Sequence, residues 1–369
     1  MKILVTGADG FIGKNICFKL QENGINQIKK VNRETPAKEL KNNIKECDFI
    51  IHLAGINRPK NEEEFQRSNY AYTQDIINEL NKNSLKTPII FSSSIQAELD
   101  NAYGKSKKLS EELIVDYSKE SGANYYIYRL PNVFGKWSKP NYNSFIATFC
   151  FNLLNKKKIQ IHDPDSKVSL LYIDDLCTSI ISVLKGNSKT GFLEVHPIYE
   201  QTVGSVAQML GKFNSEDHNI TLEDVGTGFK RALYATYVSF KKPSQFSYEL
   251  VKHVDPRGTF SEFIKTKLSG QVSFFTANPG ITRGGHYHHT KNEKFLILNG
   301  TALFKFKNIV TGESFEITIS DSSAKVVETI PGWAHDITNV GTENLIVMLW
   351  ANECFDQNNP DTYSYDLEC

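Results

Sequence analysis

The sequence lacks the features that mark membrane, secreted and polyanion-binding proteins. Its 369 residues carry 42 basic and 42 acidic side chains, so there is no excess charge to attract a nucleic acid or an anionic membrane surface. No apolar run approaches the roughly 20 residues that cross a bilayer. The first residues run directly into a strand pattern, without the segments of a signal peptide. We therefore expect a cytoplasmic protein that acts on a small substrate, with no nucleic-acid or membrane partner.

Cysteine is scarce and scattered. The six cysteines show no CxxC pair or regular spacing, which disfavours both a disulfide framework and a thiolate metal site. We expect them to be free thiols. The chain also lacks repeats and low-complexity segments, and its length exceeds that of one compact core, so two domains are expected.

The pattern of predicted helices and strands changes along the chain. Up to about residue 190, short apolar runs alternate with helical patterns, which predicts an α/β domain with a doubly wound, Rossmann-type parallel sheet. From about residue 246, strand-like runs are separated by Gly, Asn and Pro turns, which predicts an all-β barrel or sandwich. The polar segment Lys241–Tyr248 is the predicted linker, giving domains 1–245 and 246–369.

A glycine-rich turn follows the first predicted strand and opens a helix at Thr6–Gly13. In a dinucleotide site, Gly7 would permit the tight turn, Gly10 would let the backbone approach a pyrophosphate, and Gly13 would let the helix pack closely. Arg33 follows the second predicted strand, where an acidic residue usually binds the ribose of NAD. A guanidinium there favours the 2′-phosphate of NADP, although an ordinary solvated arginine is equally compatible.

A serine-ended strand and a helix supply candidate catalytic groups. Ser92–Ser94 end a strand, and Tyr103 and Lys107 are four residues apart, on one helix face. The lysine charge would lower the pKa of the phenol toward the working range for proton transfer, and a serine hydroxyl can hold a carbonyl oxygen. This pattern predicts ketone reduction with a nicotinamide cofactor.

Residues 1–240 resemble the extended short-chain dehydrogenase/reductase family, specifically its nucleotide-sugar members. Besides the fingerprint and the Tyr-Lys pair, the matching segments are His52–Gly55, Asn69, Arg129–Gly135 and Tyr172–Leu176. The chain departs from typical members of this family in two places. The gap from Ser94 to Tyr103 is shorter, and the arginine that often binds diphosphate in the family is replaced near Val168.

The resemblance implies roles for individual residues. Tyr103 would be the general acid, Lys107 its partner and Ser94 the donor to the substrate oxygen, while Asn132 would lie near the sugar nucleotide. The cofactor-binding set implied by the resemblance also contains Phe11, Ile12, Leu53 and Ala54.

Histidines cluster in the second half. His286 and His288 are two apart on a predicted strand and so face the same side, Glu293 follows after a turn, and His335 precedes another strand. Three imidazoles and a carboxylate suit zinc, iron, manganese or nickel, whereas the spacing turns His289 away. The alternative is a hydrogen-bonded polar core without a metal.

The spacing of these residues and of their flanking glycines resembles both motifs of the cupins, which implies a cupin barrel. Val254–Glu262 and Thr282–His288 also resemble the deoxysugar 3,5-epimerases, a cupin group that acts on 4-keto nucleotide sugars without a metal. Arg257 and Arg283 would then be clamps for diphosphate or sugar, because a guanidinium stays protonated and makes a poor base.

A reductase followed by a metal cupin resembles the bifunctional enzymes of capsular-polysaccharide and O-antigen synthesis over nearly the whole chain. The resemblance implies a homodimer that binds zinc and NADP(H) and acts on a UDP-sugar of the UDP-N-acetyl-L-fucosamine route. Its cupin would epimerise C3 of a UDP-2-acetamido-2,6-dideoxy-hexos-4-ulose, and its reductase would reduce C4 to the 6-deoxy-L-talose sugar. The base for C3 is not identified among Arg257, Arg283, Tyr287, Lys294 and Asp336.

Two rival functions stay open. One is a UDP-sugar 4-epimerase or 4,6-dehydratase that keeps NAD bound and carries a structural or ligand-sensing cupin. Ser94–Gln96 disfavours the dehydratase, which needs an Asp-Glu pair beside the serine. The other is a sensor of NADP(H) without turnover, which has no need of a proton donor.

Overall fold

The computed structural model describes residues 1–57, 59, 61–142, 144–214, 220–245, 247–266, 268–358 and 360–367. The chain forms two compact units: Met1–Gly211 with Gly228–Lys241, and Lys212–Thr227 with Lys242–Cys369. The segment Lys212–Thr227 therefore groups with the second unit, although the predicted division at residue 245 places it in the first. The physical reason is strand pairing, because Thr221 and Leu222 add a parallel edge to a strand of the second unit at Lys265 and Thr266.

The first unit alternates strands and helices from its first residues. In chain order the elements are β1 (Lys2–Thr6), α1 (Phe11–Glu22), β2 (Gln27–Val31), α2 (Ala37–Glu46), β3 (Phe49–His52), α3 (Glu63–Phe65), α4 (Tyr72–Lys82), β4 (Ile89–Ser94), α5 (Ala102–Ser121), β5 (Tyr125–Leu130), β6 (Asn132–Phe134), α6 (Phe145–Leu154), β7 (Lys167–Tyr172), α7 (Ile173–Leu184), β8 (Gly191–Leu193), β9 (Ile198–Thr202), α8 (Val203–Phe213), β10 (Thr221–Leu222, paired in the second unit) and α9 (Gly228–Val238). The first unit also contains a π-helix at Gln66–Ala71 and a 3₁₀ turn at Ile95–Glu98, whereas the 3₁₀ turn at Pro243–Gln245 lies in the second unit.

Six parallel strands form the main sheet of the first unit in the order β2-β1-β3-β4-β5-β8. The central strands are apolar throughout because both faces of the sheet are covered: Ile3, Leu4, Val5, Ile50 and Ile51 are fully buried. The predicted Rossmann-type sheet is confirmed. Its strand order changes direction between β1 and β3, and in such sheets ligands bind at the carboxyl ends of the strands beside that point.

The second unit is built from strands. They are β11 (His253–Asp255), β12 (Gly258–Thr266), β13 (Gln271–Ala277), β14 (Thr282–Tyr287), β15 (Glu293–Asn299), β16 (Thr301–Asn308), β17 (Ser314–Ser320), β18 (Val326–Glu328), β19 (Trp333–Asn339), β20 (Leu345–Ala351) and β21 (Tyr363–Ser364). One sheet has the order β10-β12-β13-β20-β15-β18, with β11 paired to β12, and the other has the order β17-β16-β19-β14-β21.

The two sheets of the second unit enclose one apolar core. Phe275, Phe295 and Val347 from the first sheet pack with Phe304 and Ile337 from the second. The predicted all-β character is confirmed. The pairing of the described strands gives two separate sheets, and no described pair closes them into the predicted barrel.

Among the described residues, none of the helices has both the length and the apolar composition needed to cross a bilayer. The described cysteines, Cys17, Cys47, Cys150, Cys177 and Cys354, are unpaired, as expected.

Candidate functional sites

The predicted dinucleotide turn lies between β1 and α1, beside the point where the strand order changes direction. Gly7 has φ +68°, and a Cβ there would lie 2.8 Å from the amide nitrogen of Ala54, which follows β3 with Leu53. A Cβ on Gly13 would lie 2.2 Å from the carbonyl oxygen of Gly7. These contacts leave no room for a side chain, so both glycines are needed for the backbone to take this path.

Helix α1 presents an open N-terminus at this turn. Its N-cap is Gly10, which offers no side-chain cap, and Phe11 and Ile12 are its first residues, with no acidic group in the first turn. Unpaired backbone N–H groups and the helix dipole favour an anion at such a position. The arrangement suits a pyrophosphate.

Arg33 lies two residues beyond the end of β2 and is exposed. The adjacent Asn32 donates a hydrogen bond of 2.7 Å from Nδ2 to Oδ2 of Asp9, which ties the β2 end to the glycine turn. The structure thus places Arg33 near the turn, at the carboxyl end of the strand next to β1. Its contact with a 2′-phosphate stays a prediction.

The candidate catalytic groups meet where β4 ends and α5 begins. Asn101 caps α5 by accepting a 2.7 Å hydrogen bond from the Gly104 amide, which places Tyr103 in the first turn. Ser94, the last residue of β4, lies close enough to the Tyr103 side chain to influence its pKa. One turn further, Lys107 is 4% exposed and donates from Nζ to the carbonyl oxygen of Ser92 at 2.9 Å.

The environment of this site changes the proton affinities of its groups. Burial raises the pKa of Tyr103, and the neighbouring Ser94 side chain opposes this effect only in part. The expectation that Lys107 would lower the Tyr103 pKa is therefore not met, because burial dominates. Tyr103 is protonated at neutral pH and can act as an acid. Burial also lowers the pKa of Lys107 to about 8, against the opposing effect of Glu111.

The three serines of β4 have different partners. Ser93 donates from Oγ to Oε1 of Glu111 at 2.5 Å, and the same buried carboxylate accepts a 2.7 Å hydrogen bond from Nη2 of Arg129. Ser93 therefore faces this ion pair, whereas Ser94 faces Tyr103. Sequence reasoning missed Glu111, although its position four residues after Lys107 places it on the same face of α5.

Asn69 supports the site from the π-helix. Its side chain exchanges hydrogen bonds with the backbone of Ile56 and donates from Nδ2 to Oγ of Ser106 at 3.0 Å. A Cβ on Gly55 would lie 3.2 Å from both Oδ1 of Asn69 and Nζ of Lys107, so these groups surround the chain after β3. Asn132 is exposed on β6, and its role in substrate binding stays a prediction.

The four candidate metal ligands converge in the second unit. His286 of β14, His288 just after it, Glu293 of β15 and His335 of β19 each offer one ligand atom, and these atoms lie within 4.8 Å of one another. Oε2 of Glu293 lies 3.3 Å from Nε2 of both His288 and His335. His289 is exposed, in agreement with its spacing.

A bulge in β14 gives the site its inward direction. Arg283 pairs with Ile337 and His286 with His335, so Gly285 is an extra residue between two regular pairs. Since Ile337 and His335 are both buried and two residues apart, Arg283 and His286 lie on the same inner face. Without the bulge, the odd spacing of Arg283 and His286 would place them on opposite faces.

The protonation of the cluster suits a divalent cation. Burial and the neighbouring His335 and His288 rings lower the pKa of His286 to about 4, so its imidazole is neutral at pH 7. Burial acts to raise the pKa of Glu293, but the neighbouring His288 and His335 rings outweigh it and hold the pKa below its usual range. Neutral imidazoles with an ionised carboxylate are the ligand forms a metal requires.

The two arginines predicted to bind the substrate, Arg257 and Arg283, both lie near the Asp255 carboxylate. Arg257 forms a 2.6 Å ion pair with Asp255, and Arg283 lies 3.9 Å from the other oxygen of Asp255. Two candidates for the C3 base face elsewhere, because Tyr287 stacks on Tyr363 and Lys294 pairs with the exposed Glu328.

These sites define a nicotinamide-dependent enzyme fused to a β-rich domain with a metal-ligand cluster, and known proteins match both parts. Residues 3–192 match the model of the NAD dependent epimerase/dehydratase family, and residues 253–363 match the polysaccharide biosynthesis C-terminal domain. The chain belongs to the NAD dependent epimerase/dehydratase family. Membership implies a nicotinamide cofactor.

Two relatives match nearly the whole chain. A UDP-2-acetamido-2,6-beta-L-arabino-hexul-4-ose reductase of Pseudomonas aeruginosa is 50% identical over 365 residues, 99% of this chain and 98% of the relative. The crystal structure of the capsular polysaccharide assembling protein CapF from Staphylococcus aureus matches with a TM-score of 0.92 and 41% identity, covering 99% and 100% of the two chains. The UDP-glucuronic acid 4-epimerase of Bacillus cereus, at 18% identity and TM-score 0.56 over 65% of this chain and 99% of its own, shares the fold alone.

Proposed function

We propose that this chain is a bifunctional nucleotide-sugar enzyme. Its first unit reduces C4 of a UDP-2-acetamido-2,6-dideoxy-L-hexos-4-ulose with NADPH, and its second unit epimerises C3 of the same ketone with zinc. The product is UDP-N-acetyl-6-deoxy-L-talosamine, a precursor for UDP-N-acetyl-L-fucosamine and so for capsule or O-antigen. The substrate class comes from the name of the Pseudomonas relative, which matches 99% of this chain.

The reductase proposal rests on the proximity of Ser94 and Tyr103 where β4 ends and α5 begins, with Lys107 one turn away. Ser94 holds the ketone oxygen, and Tyr103 donates its phenolic proton to that oxygen as the alcohol forms. NADPH, held by Gly7, Gly10, Gly13 and Arg33, supplies the hydride when bound. The Lys107 ammonium, which is buried beside the serines, stabilises the phenolate that remains on Tyr103.

The epimerase proposal rests on the convergence of three imidazoles and one carboxylate within 4.8 Å. We propose a cupin site in which His286, His288, Glu293 and His335 hold zinc or another divalent metal. A bound divalent ion supplies Lewis-acid polarisation of the 4-keto oxygen, which makes the C3 proton more acidic. Arg283, on the same inner face as His286, is placed to hold an anionic or sugar group, and Arg257 adds charge beside it.

The assembly we propose is a homodimer in the cytoplasm. Phe274, Met348 and Leu296 form an apolar row across three strands of the larger sheet, on the face opposite the core, and Met348 is 37% exposed. Exposed apolar groups of this kind on a sheet face are typical of protein interfaces. The UDP-sugar remains the proposed small-molecule partner.

The decisive experiment incubates the protein with NADPH and the UDP-4-keto sugar in heavy water. We expect deuterium at C3 and stoichiometric oxidation of NADPH. Tyr103→Phe should abolish NADPH oxidation and leave deuterium entry, whereas a chelator should abolish deuterium entry. Tyr248→Phe is the matched control, because Tyr248 is 43% exposed.

Each half of the proposal can fail separately. Deuterium exchange that survives complete removal of metal would exclude the metal-assisted epimerase. Turnover without net consumption of NADPH would favour the rival UDP-sugar 4-epimerase, which recycles a bound NAD. Binding of NADPH without any turnover would favour the sensor.

A further inference from the structure

A C-terminal segment is fastened to the part of the chain that carries the metal ligands. We call residues Pro360–Ser364 the C-terminal strap. The Asp361 carboxylate accepts hydrogen bonds from the amides of His289 (3.1 Å), Thr290 (2.8 Å) and Lys291 (2.8 Å), and from Oγ1 of Thr290 (2.9 Å). Both carboxylate oxygens are thus used by the loop that begins directly after His288.

The strap has further contacts with the same region. The buried Lys291 donates from Nζ to the carbonyl oxygen of Pro360 at 2.7 Å and to Oγ1 of Thr362 at 3.0 Å. The strap also forms the edge strand β21, which pairs antiparallel with β14: Ser364 pairs with His286 and Tyr363 with Tyr287. The strap therefore contacts a backbone segment that carries two of the four ligands.

The backbone of Asp361 contacts one ligand directly. Its carbonyl oxygen lies 2.6 Å from Nδ1 of His288. A carbonyl oxygen can only accept, so Nδ1 carries a proton. Nε2, on the side of Glu293 at 3.3 Å, is then the ring nitrogen that would bind a metal. By contrast, no described residue bonds to the buried Nδ1 of His335.

We propose that the C-terminal strap is part of the metal centre and that Asp361 is a positioning residue, which fixes His288 in the tautomer and orientation required of a ligand. The inference rests on the proposed metal site. The Asp361 side chain holds the strap against the loop, and its carbonyl then selects the nitrogen of His288 that is protonated. Groups that orient a ligating imidazole in this way typically change metal affinity about 10–100-fold when removed.

The test compares Asp361→Gly with Asp356→Gly. Asp361 has φ +39°, a conformation that glycine adopts without strain, so the substitution removes the carboxylate alone. Asp356 lies in the same C-terminal region and is exposed, and the one hydrogen bond it accepts from a described residue is local, from the Asn358 amide. Zinc affinity is measured by competition with a chromophoric chelator. The protonated ring nitrogen of His288 is identified by nitrogen-15 NMR of the zinc-free protein.

We expect Asp361→Gly to bind zinc about 10–100-fold more weakly and to lose the single Nδ1–H tautomer of His288. Asp356→Gly should match the unsubstituted protein in both measurements. Unchanged zinc affinity and tautomer in Asp361→Gly would overturn the inference alone, whereas absence of stoichiometric zinc in the unsubstituted protein would overturn the proposed metal site as well. If Asp361→Gly does not fold, Asp361→Asn gives the same comparison, because its amide nitrogen cannot accept from the loop amides.

Discussion

Replacing Lys107 with methionine should stabilise the fold while removing reductase activity. The ammonium group is buried beneath the end of β4, where its known partners are the Ser92 carbonyl oxygen and the ring of Phe91, with Nζ 4.8 Å from the ring centroid. Methionine retains most of the apolar stem and carries no charge. The substitution therefore replaces a desolvated ammonium, to which we assign a catalytic role, with an uncharged side chain that is stable in an apolar environment.

The size of the effect follows from the pKa of Lys107, which burial lowers from its usual 10.5 to about 8. That difference corresponds to about 3 kcal/mol of unfavourable free energy for the charged form in the folded protein. Loss of the hydrogen bond to Ser92 offsets about 1 kcal/mol of the gain. Lys107→Met should thus raise the free energy of unfolding by about 2 kcal/mol at pH 7.

The stability gained by Lys107→Met should be largest at neutral pH and should decrease as the pH rises. Below pH 8 the Lys107 side chain is protonated in both the folded and unfolded states. The folded protein is then destabilised by the full free energy of burying the charged ammonium. Between pH 8 and 10.5 the unfolded chain binds more protons, so the stability of the unsubstituted protein rises and the advantage of the variant shrinks.

Urea unfolding of the cofactor-free parent and variant at pH 7 and pH 9.5 measures the difference in free energy of unfolding at each pH. Lys108→Met, at an adjacent exposed position, should change stability by less than about 0.5 kcal/mol. A Lys107→Met variant less stable than its parent at pH 7 would refute the reasoning.

Three further predictions concern the glycine turn, the metal ligands and the buried ion pair. Gly13→Ala should weaken NADPH binding measured by fluorescence and destabilise the fold by about 1–3 kcal/mol, because its Cβ meets the Gly7 carbonyl oxygen at 2.2 Å. Gly211→Ala, which meets nothing within 4 Å, should do neither. Cobalt binding, followed by absorbance, should persist at pH 6, because a His286 pKa of about 4 leaves the imidazole neutral there; loss of half the cobalt by pH 6.5 would contradict this. Arg129→Met should lower the free energy of unfolding by about 2–3 kcal/mol, less than the roughly 3–5 for a fully buried pair, because Arg129 is 31% exposed; an unchanged urea midpoint would count against the pair.

The fold of the first unit could be predicted because its signals are local. A fully buried parallel strand is apolar along its whole length, and the glycine turn lies between such a strand and a helix. The division of the chain was harder to predict, because Thr221 and Leu222 pair with Lys265 and Thr266. No local pattern reveals a parallel pairing between segments so far apart. The polar linker at Lys241–Tyr248 indicates a boundary after residue 241 but not that the segment around Thr221 belongs to the second unit.

The candidate ligands could be predicted for a similar reason, since alternation on a strand places His286 and His288 on one face. The groups that orient the sites could not. Glu111 reaches Ser93 only after β4 and α5 have packed, and Asp361 reaches the loop after His288 across more than 70 residues of sequence. The spacing of Glu111 from Lys107 shows that the two share a helix face but does not reveal its bond to Ser93, and no pattern near Asp361 in the sequence indicates its distant partners.

The bulge in β14 shows how one local irregularity can couple the two chemistries of the second unit. Gly284 and Gly285 adopt φ +104° and +73°, which few other residues tolerate, and the extra residue reverses the alternation between Arg283 and His286. A regular strand would place the guanidinium on the outer face, away from the cluster. Because the half-buried guanidinium is on the inner face, its charge lies on the same side of the sheet as the histidines. If the proposed function is correct, the two glycines in the middle of this strand allow an anionic sugar nucleotide and a metal to be bound on one face of the sheet.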